Sequence, residues 1–287
     1  MNLRVTIAFF LSFAILIVLI PIESMAGISV IGGLTREINI KNSDVDTSQG
    51  VIILKNTSEE PQEAKIYQTD YEFFYDGRNN YGEPGKMARS NANWITFTPK
   101  QLTIPAKGMS EVNYSIKMPD DKALIGTYWS LIMIEEVSKV PLPESKSEKN
   151  KMKLGISAKN RYAIQIVVNI GDTGTLNLNF ISAKLTKEGE KRIFQMDMEN
   201  IGEKWAKPIL YTEIYNEEGN YIGKFDGENK RIYPGTSVRY NIDLSKLPKG
   251  KYKAMVMADC GGDDIFGTTY DLECKDEPNS PSDPAPK

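Results

Sequence analysis

Period-two alternation of apolar residues, a scarcity of helical spacing and a repeated set of turn devices predict the fold class. It is all-β, with two tandem immunoglobulin-like β-sandwiches after an N-terminal signal peptide. The opening segment supports the last part. A weakly positive start, Met1 to Arg4, precedes an apolar run from Val5 to Ile22 and then Ser24-Met25-Ala26. Small residues at 24 and 26 suit cleavage after Ala26, although the run also approaches the length of an uncleaved membrane anchor. No cysteine stands directly after the run, so a lipid-modified amino terminus is not indicated.

The strands follow in order. Val112, Tyr114 and Ile116 alternate with polar or small residues, as do Tyr162, Ile164, Ile166 and Val168. Phe194, Met196 and Met198 repeat the pattern, then Val238, Tyr240 and Ile242, then Phe266, Tyr270 and Leu272. Such runs bury one face and wet the other, as in antiparallel sandwiches.

The turn devices then recur in one order. Val51 to Leu54 runs into Lys55-Asn56, with Pro61 beyond; Phe194 to Met198 runs into Glu199-Asn200, with Pro208 beyond. Ile104-Pro105-Ala106-Lys107-Gly108 opens one strand, and Tyr233-Pro234-Gly235-Thr236 opens its counterpart. Gly126-Thr127-Tyr128 and Gly250-Lys251-Tyr252 then start strongly apolar strands. Glycine two residues before tyrosine fits a tyrosine corner, in which the hydroxyl caps backbone groups upstream. These repeats divide the chain into residues 27–172 and 173–275, joined at Gly171-Asp172-Thr173-Gly174. A short link of this kind restricts the angle between sandwiches and leaves a cleft. Pro141 to Lys159 reads as a long polar loop, and residues 276–287 as a disordered proline-rich tail.

Composition narrows the chemistry. The chain has no histidine and two cysteines, with a net charge of -3 carried on interspersed residues of both signs. Histidine-dependent nucleophile systems are excluded, and a structural zinc site is not expected. No metal, cofactor, catalytic residue or nucleic-acid partner is therefore predicted. Asp259, Asp263 and Asp264 match no EF-hand spacing and read as an acidic hairpin turn. Trp94, Trp129 and Trp205 read as packing residues. Cys260 and Cys274 remain open: an exported chain favours a bridge, whereas a tight turn at Gly261 to Asp264 would hold the thiols at opposite ends of a hairpin.

On these residues the chain resembles a known family. Leu34 to Asn56, Leu102 to Met118 and Gly126 to Val137 resemble the amino-terminal domain of PapD-like periplasmic pilus-assembly chaperones. The corresponding features are Arg36 on the first strand, Asn56, the Pro105 to Gly108 turn, Met118-Pro119 and the last strand from Tyr162 to Ile170. The second half is similar to Ig-like modules of cell-surface proteins, paired as in the WxL-interacting surface proteins of Gram-positive bacteria.

The chaperone resemblance implies a periplasmic or cell-envelope protein that lends an edge strand to a pilin-like subunit by β-augmentation. It implies a partner-binding row of Tyr162, Ile164, Ile166 and Val168, with Arg36 as a carboxylate anchor in the cleft and Arg161 as a second cation. The ordinary alternative is that this row faces its own core. A structural or adhesive envelope module, binding protein or cell-wall glycan, is the competing function. Contact with a membrane is expected only through an uncleaved signal segment.

Overall fold

The computed structural model describes residues 27–41, 47–137 and 160–275. The expected signal segment, the expected loop over 141–159 and the expected tail over 276–287 lie outside the described residues. Among the described residues no helix is long and apolar enough to cross a membrane.

The fold is all-β, in two tandem Ig-like sandwiches. In the first, β1 (Ile28–Ile31), β3 (Thr47–Asn56), β8 (Met109–Lys117) and β6 (Ile95–Thr98) form one sheet in the order β1-β3-β8-β6. The facing sheet runs β2 (Thr35–Ile40), β10 (Arg161–Ile170), β9 (Gly126–Val137), β4 (Gln62–Phe73) and β5 (Asn79–Gly82), with β7 (Gln101–Ile104) also on β4. Alternate residues of both sheets fill the core, including Ile52, Leu54, Val112, Ile116, Ile132 and Ile164. β9 is buried on both faces from Gly126 to Ile134. One face packs on this core, and on the other Thr127 and Trp129 meet the second sandwich.

In the second sandwich, β11 (Leu178–Glu188), β12 (Lys191–Asn200) and β15 (Ser237–Asp243) face a sheet ordered β14 (Tyr221–Asp226), β13 (Ile209–Asn216), β16 (Gly250–Asp259) and β17 (Ile265–Cys274). Phe194, Met196, Tyr240, Ile242, Val256 and Leu272 are among its core residues.

The repeated asparagines are buried clamps. The Asn56 amide donates to the carbonyls of Glu60 at 2.7 Å and Ile104 at 3.2 Å, and its oxygen accepts from the Ser58 N–H at 2.8 Å. The Asn200 amide donates to Lys204 at 2.7 Å and Ile232 at 3.1 Å, and its oxygen accepts from the Gly202 N–H at 2.9 Å. Each side chain closes its own loop and ties it to the turn before the next strand, satisfying carbonyls that burial would otherwise orphan. These bonds make Ile104 the counterpart of Ile232, so Pro105 corresponds to Tyr233 rather than to Pro234. Lys107 and Gly235 occupy the same left-handed position, at φ 55° and 75°.

The two tyrosine corners differ. The Tyr252 hydroxyl donates to the Pro248 carbonyl at 3.1 Å, as a corner requires. Tyr128 packs its ring on Trp94 at 4.8 Å, and its hydroxyl makes no such bond to the described residues. Cys260 and Cys274 are free. The register sets Cys274 opposite Gly250, while Cys260 sits at the mouth of the turn, where its N–H donates to Asp264. The hairpin reading therefore holds, and the bridge does not form.

Candidate partner-binding edge and cleft

β10 lies between β9, antiparallel, and β2, parallel. Ile164, Ile166 and Val168 are fully buried in the first core. Tyr162 packs against that core, and its hydroxyl donates to the Ile28 carbonyl at 2.7 Å. The side chains of the expected donor row thus face their own sandwich.

The backbone edge of β10 is a separate matter. β2 covers it only from Gln165 to Ile170, which leaves Arg161 to Ile164 with no neighbour on that side among the described residues. The Glu136 N–H donates to the Asn160 carbonyl, and the Gln165 N–H donates to Leu34. By antiparallel alternation, even positions bond β9 and odd positions point away. Arg161 and Ala163 therefore present their N–H and C=O groups to the free edge.

The two arginines do not converge. Arg36 pairs in register with Ile166 and shares the core-side face of β2 with Ile38 and Ile40. Its guanidinium donates to the Gly33 carbonyl. It also lies near Tyr114, whose phenol is pushed up by burial and pulled down by the Arg36 charge. The expected place of Arg36 in the cleft is corrected by this parity: Glu37, not Arg36, faces the second sandwich. Arg161 sits on the opposite face and pairs with Glu135 at 3.1 Å. That carboxylate also accepts from the Tyr67 hydroxyl at 3.0 Å. Burial, then this bond, raise the Tyr67 phenol above its ordinary value.

The cleft itself is filled by residues that sequence reasoning did not assign to it. Tyr233 stacks on Trp129 with centroids 4.7 Å apart and planes 14° apart, and Phe73 meets its edge at 6.0 Å. Its hydroxyl donates to Gln165 Oε1 at 2.8 Å. Burial is the main cause that raises the Tyr233 phenol, with nearby Arg231 opposing it. The Arg231 guanidinium lies 3.9 Å from the Trp205 ring centroid and donates to Glu37 Oε2 at 3.2 Å.

Backbone bonds complete the seam. Thr127 N–H donates to Glu203 at 2.8 Å, Trp205 N–H donates to Thr127 Oγ1 at 3.1 Å, and Tyr75 N–H donates to Ser237 Oγ at 3.1 Å. Gly126 is required there, since it has φ +74° and a Cβ would lie 2.1 Å from the Glu203 carbonyl oxygen. A visible signal was the tyrosine of Tyr233-Pro234-Gly235, an aromatic where the first half has Pro105. No signal marked Arg231.

Beside the seam, Arg239 grips the buried Asp197 with two bonds of 2.6 and 2.8 Å. Among the described residues no group of three or more potential metal ligands converges. The acidic turn uses its first carboxylate locally, as Asp259 Oδ1 accepts from the Gly261 N–H.

These features define a tandem Ig-like pair with a short open stretch on β10 and an interlocked cleft. No family model matches the chain, and no curated protein matches it. Solved structures do, and fimbrial chaperones recur among them, the family the sequence resembles. The class 5 fimbriae chaperone CfaA is 14% identical, with a TM-score of 0.44 over 85% of this chain and 98% of that one. The chaperone–tip adhesion subunit complex CsuC–CsuE of Acinetobacter baumannii gives 14%, 0.42, 86% and 98%. The Salmonella enterica SafA pilin–SafB chaperone complex gives 9%, 0.37, 86% and 97%.

Proposed function

We propose that this chain is an exported, non-enzymatic chaperone-like protein of the periplasm or cell envelope, which holds a pilin-like or surface-fibre subunit by strand pairing. The single observation that carries the reading is the open stretch of β10, where Arg161 and Ala163 turn backbone groups outward that pair with no strand among the described residues, beside a cleft. Main-chain bonds supply the affinity in this mode of recognition. Arg161 flanks the start of the free stretch. Arg36 lies beside Ile166, near where β2 closes the edge, and serves as a second flanking cation rather than as a joint anchor. Tyr162, Ile164, Ile166 and Val168 hold the edge in place from the core side.

Ala163→Pro tests this reading. It deletes an outward N–H and no bond to β9, and proline is tolerated at such an edge. Co-purification of a pilin-like subunit is expected to fall at least about tenfold, the effect of losing roughly 1.4 kcal/mol of pairing, with the circular dichroism unchanged. Retention of every partner by both Ala163→Pro and Arg161→Ala sinks the proposal.

A second reading, an adhesive module, is favoured by a groove of about 690 Å³ on the second sandwich, lined by Tyr215, Lys251, Tyr252, Lys253, Met255 and Asp271 among others. Tyrosines beside polar groups suit a glycan. Binding to cell-wall material that Ala163→Pro leaves intact would select it.

A further inference from the structure

The sheet edges of this protein are guarded unequally. β1, β5, β6 and β7 are four residues long, and Pro99 follows β6. β14 is six residues long, with a register shift between Ile214 and Tyr215. β11 is longer, but it is interrupted between Phe180 and Ser182 and carries Lys184 and Lys187. Short strands, bulges and lysines are the ordinary means of keeping an edge from pairing with another chain.

β17 has none of them. It pairs with β16 through ten consecutive positions, Ile265 to Cys274, without a shift, proline or lysine, and it ends its sheet. The Cys260 N–H to Asp264 carbonyl bond fixes its parity: even positions bond β16. Gly267, Thr269, Asp271 and Glu273 therefore direct their N–H and C=O groups to the open side, as does the Ile265 carbonyl, while the Ile265 N–H donates to the Asp263 carbonyl at 3.1 Å. These five residues are all exposed.

We propose that β17 is an interaction surface for a second copy of this chain, pairing antiparallel across a two-fold axis at Thr269 to join two four-stranded sheets into one. The argument for a second copy is self-complementarity. This register pairs Thr269 with itself and Gly267 with Asp271, and lets the Glu273 N–H of each chain donate to the Ile265 carbonyl of the other, the Ile265 N–H staying on Asp263. No carboxylate meets a carboxylate. Lys275 of each chain, exposed and paired with Glu273 at 2.8 Å, is carried toward Asp263 in the acidic turn of the other. Met255, partly exposed and in register with Thr269, places an apolar residue on each side of the axis. The surface is distinct from the β10 edge, so either proposal survives failure of the other.

The test is the molar mass of the purified full chain by sedimentation and light scattering across roughly 1 to 100 µM, the range of a modest dimer. The mass is expected to rise toward twice the monomer value. Thr269→Pro, which removes an outward N–H and no bond to β16, is expected to give monomer throughout. Thr269→Lys, which opposes two ammonium groups on the axis, is expected to do the same. Lys275→Glu is expected to weaken association roughly tenfold through its two symmetric pairs, and adding Asp263→Lys to restore it. Monomer at every concentration overturns the proposal. So does a dimer indifferent to both Thr269 variants, and failure of the charge swap to restore association overturns the register.

Discussion

In the first sandwich Asn56 ties the Glu60 and Ile104 carbonyls together, and in the second Asn200 does the same for Lys204 and Ile232. The residue after the clamped carbonyl is Pro105 in one and Tyr233 in the other. Pro105 only shapes its turn. Tyr233 leaves its own sandwich and stacks on Trp129 of the first. One repeated frame thus carries two outcomes, because a turn that merely closes a sandwich has an outward position to spare. The comparison teaches where to look in a tandem repeat: at positions where the frame is kept and the side chain is not.

The largest effect that would break this comparison belongs to Tyr233. Tyr233→Ala removes a ring that is 1% exposed, and a cost of about 4 kcal/mol is expected for such a truncation. In urea denaturation it should separate one transition into two, since the stacked ring couples the sandwiches. Pro105→Ala should leave a single transition.

Next come the clamps. Asn56→Ala and Asn200→Ala each strip bonds from at least two carbonyls, and each should cost about 3 kcal/mol. Equal losses in denaturant midpoint would sharpen the equivalence of the two frames, whereas a difference above roughly twofold would break it. The smallest effect concerns the corners. Tyr252→Phe should lose about 1 kcal/mol with its bond to Pro248, while Tyr128→Phe should be near neutral, as its hydroxyl has no such bond to lose.

Much of the frame was legible in the sequence. Alternation marked Val112 to Ile116 and Phe194 to Met198 as half-buried strands, and both asparagines stood out as turn signals. Strand rise offered the hairpin that keeps Cys260 from Cys274 as one of two readings, and the choice between them rests on the β16–β17 register. What alternation does not say is which neighbour covers a face. Arg36, Ile38 and Ile40 share one side by period two, and that parity alone argues against a cleft position for Arg36. That β2 lies parallel to β10, and so closes most of its edge, depends on pairing between residues some 130 positions apart, which no local pattern encodes. Trp129 and Trp205 read as packing residues, and they are. The stacked partner of Trp129 lies in the other sandwich, where only Tyr233 gave any hint, and Trp205 lies against Arg231 of its own sandwich, which bonds Glu37 across the seam.

The separated cysteines have a further consequence. Burial, with Asp264 and Asp259 adding to it, pushes the Cys260 thiol up to about 11. The thiolate is the reactive form, so at pH 7 only about one molecule in ten thousand carries it. Cys274 is shifted the same way by burial. The second sandwich therefore reaches its final form without an oxidation step, and it needs neither a thiol oxidase nor an isomerase wherever it folds.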